Sequence, residues 1–276
     1  MMEKEEVKYF NFPIQLLSGF LEDSKTALYN ILTYGIYSFA VDYNEAETIE
    51  KKIKASTDYH NVKLGNIPNT IKLGKDLYDK FHKGSPMSGI ELKVFWTYYD
   101  EYKDETLPKK SDFEKVCLLG FLALKSILGE KPYCHVFNDY WLARMDGKVK
   151  RIYDVNELSE KIRPYHSERN PRKIKTELAA KWNLKHYSKK GMRGFYVSLE
   201  PKMTTKDLIK QVMIRKNKSI LEKKMGNNQI KKYEEEILQE LNFMPTIKQS
   251  SSNKNQSVAP PEINDISFPD WNDPFA

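Results

Sequence analysis

The sequence predicts a mainly α-helical protein interrupted by one β-hairpin, and three observations carry that expectation. Apolar residues recur at intervals of three and four along most of the first 146 positions, the interval drops to two only after Asn183, and the stretch from Lys248 onward holds too little apolar material to pack. With 276 residues, 40% of them hydrophobic and 12% aromatic, the chain has enough apolar substance for a sizeable core.

The helical segments follow in order. Asp23 precedes Leu28, Ile31, Leu32, Gly35, Ile36 and Phe39, which share one helical face. Pro68 opens a second run with Ile71, Leu73, Leu77, Tyr78 and Phe81. Ser88 is placed to cap a third, bearing Ile90, Leu92, Phe95, Trp96 and Tyr99, and Ser111 a fourth, bearing Phe113, Val116, Leu119, Phe121, Leu122 and Leu124. A last apolar run, PYCHVFNDYWLARM, ends at Asp146-Gly147. Residues 8–146 are therefore expected to form an all-helical domain. The most apolar window, Ala27 to Val41, is shorter than the roughly 20 residues a membrane span needs and contains several tyrosines, so it is expected to be a buried helix with no membrane role. Two cysteines and an opening MMEKEEVKYF without an apolar leader segment point to a reducing, cytoplasmic location.

The character changes at Lys148. Asp154 and Glu157 have capping-box spacing ahead of a short helix carrying Val155, Leu158 and Ile162, which must stop before Pro164. In NPRKIKTELAAKWNLKHYSKKGMRGFYVSL, Asn170 suits an N-cap and Pro171 a first helical position, and Ile174, Leu178 and Trp182 form a stripe for the core. That stripe turns Arg172, Lys173, Lys175, Thr176 and Lys181 toward solvent. Period-two alternation then runs through Leu184 to Ser188 and Phe195 to Leu199, with KKGMRG as the turn. Two helices followed by a basic hairpin predict a winged helix-turn-helix over residues 148–201, with one helix offered to a groove and a loop reaching the flanking backbone.

Thr204 or Thr205 is placed to cap a helix with Leu208, Ile209, Val212, Met213, Ile220 and Leu221, and QIKKYEEEILQELNFM continues the helical spacing. Residues 204–243 thus suit an αα-hairpin or a dimerising arm. Residues 248–276 read as a linker and an acidic, aromatic tail, expected to be disordered.

Charge is segregated along the chain. Residues 1–146 hold 19 Lys and Arg against 22 Asp and Glu, residues 147–248 hold 25 against 12, and residues 249–276 hold 1 against 4. The net values are −3, +13 and −3, so the positive charge belongs to one region and implies a polyanionic partner. Ten Lys or Arg residues lie between Arg163 and Arg193, against Glu168 and Glu177 alone. Cations that meet phosphates release counterions and give salt-sensitive affinity. The candidate DNA contacts are Arg172, Lys173, Lys175, Thr176, Lys181, Lys185, Lys189, Lys190 and Arg193.

Residues 175–197, KTELAAKWNLKHYSKKGMRGFYV, resemble the C-terminal winged-helix module of phage and poxvirus-type primase-helicases, and the likeness extends over about residues 150–200. It implies a DNA-binding module from replication or mobile-element proteins and brings no catalytic activity with it. The tail DISFPDWNDPFA is similar to the acidic tails by which bacterial single-stranded DNA-binding proteins recruit partners, although it ends in Ala276 rather than on the phenylalanine. The resemblance makes Phe268, Asp270, Trp271, Asp273 and Phe275 candidate contacts for a replication or transcription protein.

Other chemistry is poorly represented. HSER at His166 to Arg169 matches the H-x-x-R of tyrosine recombinases but has no supporting context, and Cys117, Cys134, His135 and His82 lack zinc-site spacing. No phosphate loop or paired-carboxylate motif is present. The expectation is a non-enzymatic DNA-binding protein of a phage, plasmid or other mobile element, without cofactor or metal, acting in replication or transcription control. The competing reading is a structural or protein-protein adaptor whose basic region meets an acidic protein.

Overall fold

A computed structural model describes residues 7–43, 48–63, 66–167, 169–189 and 191–224, with no account of the side chains of Tyr43 or of residues past Lys216. The described part is mainly helical, with small antiparallel sheets. None of its helices is long and apolar enough to cross a membrane.

β1 (Tyr9–Pro13) is a short strand in which buried Phe10 and Phe12 alternate with exposed Tyr9 and Asn11. It pairs antiparallel with β2 (Met87–Glu91), Tyr9 opposite Glu91 and Pro13 opposite Met87. Residues 8–146 are therefore not all-helical. Ser88 lies within β2 and is no helix cap; its buried hydroxyl donates to the Leu122 carbonyl at 2.8 Å, and the next helix begins at Leu92. On this ribbon pack α1 (Ser24–Tyr43) and α4 (Leu92–Tyr99), while α2 (Ile49–His60) and α3 (Ile67–Phe81) pack on α1. The Asp23-headed and Pro68-headed runs supply α1 and α3, and Gly74 lets α3 lie directly against the Tyr37 ring.

Ser111 does cap α5 (Asp112–Leu128): its hydroxyl accepts from the Glu114 amide at 3.3 Å while the Glu114 carboxylate accepts from the Ser111 amide at 3.0 Å. β3 (Cys134–Val136) and α6 (Asn138–Met145) come next. The Asp154–Glu157 capping box forms as well, but it introduces only the 3-10 turn Val155–Glu157. A second 3-10 turn, Arg163–His166, contains Pro164 in place of the expected helix end. α7 (Arg169–Lys181) begins one residue before Asn170, so Asn170 is not the N-cap; its amide donates to the Pro164 carbonyl and to Ser167 Oγ. Ile174 and Leu178 are fully buried against α5, where Gly120 leaves room for them. Asn183, with φ of 55°, ends the helix, and the Leu184 amide reaches back to the Leu178 carbonyl at 3.2 Å.

The hairpin follows as β4 (Lys185–Tyr187) and β5 (Phe195–Ser198), and β5 is central because β3 pairs on its other side. The order β3-β5-β4 means that the boundary expected at Gly147 does not divide the core. One continuous cluster runs from Phe10 to Val197. The last element, α8 (Thr205–Lys224), is capped by Thr204, whose hydroxyl accepts from the Asp207 amide at 3.1 Å. Its Leu208 and Val212 pack with Met203 on Tyr133, Tyr187 and Tyr196, so the start of the expected arm covers the sheet instead of standing free. Residues 225–243 and the tail lie outside the described residues.

Candidate nucleic-acid interface

α7 presents Arg169, Arg172, Lys173, Thr176, Ala179 and Ala180 to solvent, on the side opposite Ile174 and Leu178. The first five residues carry three cations and the first turn no acid, although the positive end of the helix dipole disfavours cations there by a few tenths of a kcal/mol each. No carboxylate among the described residues pairs with Arg169, Arg172 or Lys173. An anion seated at this end would offset both the charges and the dipole. Further along, small Thr176, Ala179 and Ala180 keep the face low, so a bound surface can approach the backbone closely.

The other candidate cations have different fates. Lys175 is half-buried with its ammonium 4.3 Å above the Phe195 ring, and burial, seconded by nearby Arg172, lowers its pKa. Lys181 is exposed but sits 2.6 Å from Glu177. Lys185 is 8% exposed and donates to the Glu200 carbonyl at 2.9 Å. It shares a sheet face with Tyr187, and α8 covers that face, so Lys185 is removed from the candidate contacts. Lys189 and Arg193 are exposed in the hairpin loop, where Gly191 turns with φ of 81°. Lys190 lies outside the described residues, as do Phe268, Asp270, Trp271, Asp273 and Phe275.

The structure adds residues that periodicity did not single out. At Gly194, with φ of 83°, a Cβ would strike the Val136 carbonyl and lie 3.1 Å from the Phe137 Cα, so the hairpin base is pressed against the end of β3. Arg151 stacks its guanidinium 4.9 Å from the Phe137 ring centroid and pairs with Asp139 at 3.0 Å. The other Asp139 oxygen is 3.2 Å from His166 Nε2, three residues ahead of α7. These contacts link the hairpin base, the connector between α6 and α7 and the cationic first turn of α7 into one surface. His166 thus belongs to a hydrogen-bonded network around Asp139, and Arg169 to a basic helix end. The signal for Arg151 was present in the KVKR run, but its placement depends on pairing that is distant in sequence.

Little in this region is suited to covalent chemistry. Burial pushes the Cys117 thiol up to about 12 and the Cys134 thiol up to about 11, so neither supplies a thiolate near neutrality. Among the described residues no group of three His, Cys, Asp or Glu is arranged to hold a metal ion. No protein-family model matches this sequence, and comparison with curated proteins and with solved structures returns no match.

Proposed function

We propose that this protein binds duplex DNA through a winged helix-turn-helix formed by residues 112–198, and that it serves replication or transcription control in a phage, plasmid or other mobile element. The observation that carries the reading is the face of α7, where Arg169, Arg172 and Lys173 stand exposed without carboxylate partners among the described residues, next to small Thr176, Ala179 and Ala180. The order α5, β3, α6, α7, β4, β5 with strand order β3-β5-β4 supports it, because a winged helix needs a three-stranded sheet behind its groove-entering helix and a hairpin loop beside it. On this reading the module starts at α5, well before residue 148. Thr176 and Ala179 face the bases, the α7 cations and Arg193 hold phosphates, and Lys189 reaches along the flanking backbone.

Fluorescence anisotropy with a labelled duplex across a salt series tests it. Five phosphate contacts give a slope of about −4 to −5 in log K against log salt. A flat slope, or binding no tighter than that to an acidic protein of equal charge, favours the adaptor reading instead.

A further inference from the structure

Tyr153 is 96% exposed, and no other large apolar or aromatic side chain among the described residues approaches that exposure. It is not on a loose loop. The Glu157 carboxylate accepts from both the Tyr153 and Asp154 amides at 2.9 Å, and the Asp154 carboxylate accepts from the Asn156 amide at 2.9 Å, so a capping box fixes the backbone that presents the ring. An amphipathic ring held out in water on a fixed turn gains no packing in this chain. Around it stand exposed Lys150 and Arg151, with Val149 38% and Phe137 37% exposed, and Arg151 connects the group to the hairpin base. The Asp154 and Glu157 carboxylates accept from backbone amides, Lys148 pairs with Asp146 at 3.2 Å and Arg151 with Asp139 at 3.0 Å, which leaves Lys150 without an ion pair among the described residues.

We propose that the α6–α7 connector is a second nucleic-acid contact, in which Tyr153 stacks on an unpaired base while exposed Lys150 holds the phosphate beside it and Arg151, tied to Asp139, fixes the connector. This rests on the DNA-binding reading and deepens it: the preferred ligand is a duplex that carries a single-stranded segment next to the helix α7 grips. Stacking on an aromatic ring tolerates any base, so the contact discriminates strand state and not sequence. Exposed Lys150 beside the ring, on a connector tied through Asp139 to His166 just ahead of α7, favours a nucleic acid over an acidic or apolar protein surface as the partner.

The test compares a blunt duplex with the same duplex bearing a short single-stranded extension that contains 2-aminopurine, using the full chain, Tyr153→Ala and Tyr153→Phe. The extension should tighten binding by roughly fivefold or more and alter the 2-aminopurine fluorescence. Tyr153→Ala should remove both effects while leaving blunt-duplex affinity and the melting temperature unchanged, and Tyr153→Phe should keep them. If Tyr153→Ala binds both ligands as the parent does, the connector inference is wrong and the duplex-binding reading survives. A loss on both ligands alike makes Tyr153 an ordinary duplex contact and also overturns it. If the parent protein binds neither DNA, both readings fall together.

Discussion

Beside α4, Lys103 lies 4.2 Å from the Trp96 ring and 3.6 Å from Asp100, while Lys115 meets Glu101 at 3.5 Å and donates to the Tyr102 hydroxyl at 3.2 Å. On α7, Arg169, Arg172 and Lys173 have neither a carboxylate nor a ring among the described residues. Both regions are rich in cations and aromatics, but acidic residues are interspersed in the first and scarce in the second. The difference is in internal pairing: the first set holds together a turn whose buried Glu101 also accepts from the Lys110 amide at 2.6 Å, whereas the second has no carboxylate partner among the described residues. A basic stretch becomes a candidate site only after the cations already engaged by the fold are subtracted. In the hairpin that subtraction removes Lys185, and on α7 it discounts Lys175 and Lys181.

The comparison presumes one shared core, and breaking that core should have the largest effect. Trp141 is fully buried and donates its Nε1–H to the Gly120 carbonyl at 2.9 Å. Trp141→Ala should cost about 3–5 kcal/mol and move a single urea transition, because α5, α6 and β5 all lean on it. Two separated transitions would instead mean that the regions unfold independently. Next, Arg172→Glu with Lys173→Glu should weaken duplex binding about ten- to a hundredfold without a change in melting, while Lys103→Glu leaves binding alone. Equal losses from the two would erase the contrast between the faces. Trp182 is half-buried against Phe121, with ring centroids 4.4 Å apart, so Trp182→Ala should lower stability by about 1–2 kcal/mol in a thermal melt.

The smallest effect expected is a pH slope to which two histidines contribute, buried His60 in the first region and half-buried His186 in the hairpin, whose pKa burial lowers, with Lys175 acting in the same direction. Burial between Phe10 and Phe39 is the main cause that lowers the His60 pKa below 6.5, with Lys8 acting in the same direction. The folded state therefore binds this proton more weakly than the unfolded chain. The stability is present above 6.5 and lost as pH falls below it. Melting temperatures between pH 8 and 5 should decline for the parent, and His60→Phe should lessen that decline without abolishing it, because His186 still contributes, while the α7 variants keep it in full.

Helices with long periodic runs were legible: α1, α3 and α5, the Ser111 capping box and the helix-hairpin order all follow from local spacing. The errors share a cause. β1 and β2 pair residues about 80 positions apart, so Phe10 and Phe12 reveal their strand only once Glu91 is alongside. β3 is three residues long and has meaning only beside β5. Lys185 was assigned to solvent because the alternation leaves the second face of the hairpin unclaimed, and α8 claims it. Of the exposed α7 positions, Arg172, Lys173 and Thr176 were readable because a helix with two buried anchors fixes its own outer face. Arg169 was missed because the helix starts earlier than Asn170 suggested, and Tyr153 because nothing in its spacing tells an exposed tyrosine from a packed one.

The central position of β5 has a consequence for synthesis. The strand on which both β3 and β4 depend is the last of the three to be made, about 60 residues after β3. At ordinary elongation rates the ribosome takes roughly 3–12 s to cover that distance. Throughout that interval Val136 and Trp141 have no Phe195 to cover them, so the nascent chain carries an open apolar edge that only its own continuation closes. Slow codons or a stall between residues 137 and 195 would lengthen that exposure, and a shortfall of active protein would then arise without any change in the finished sequence.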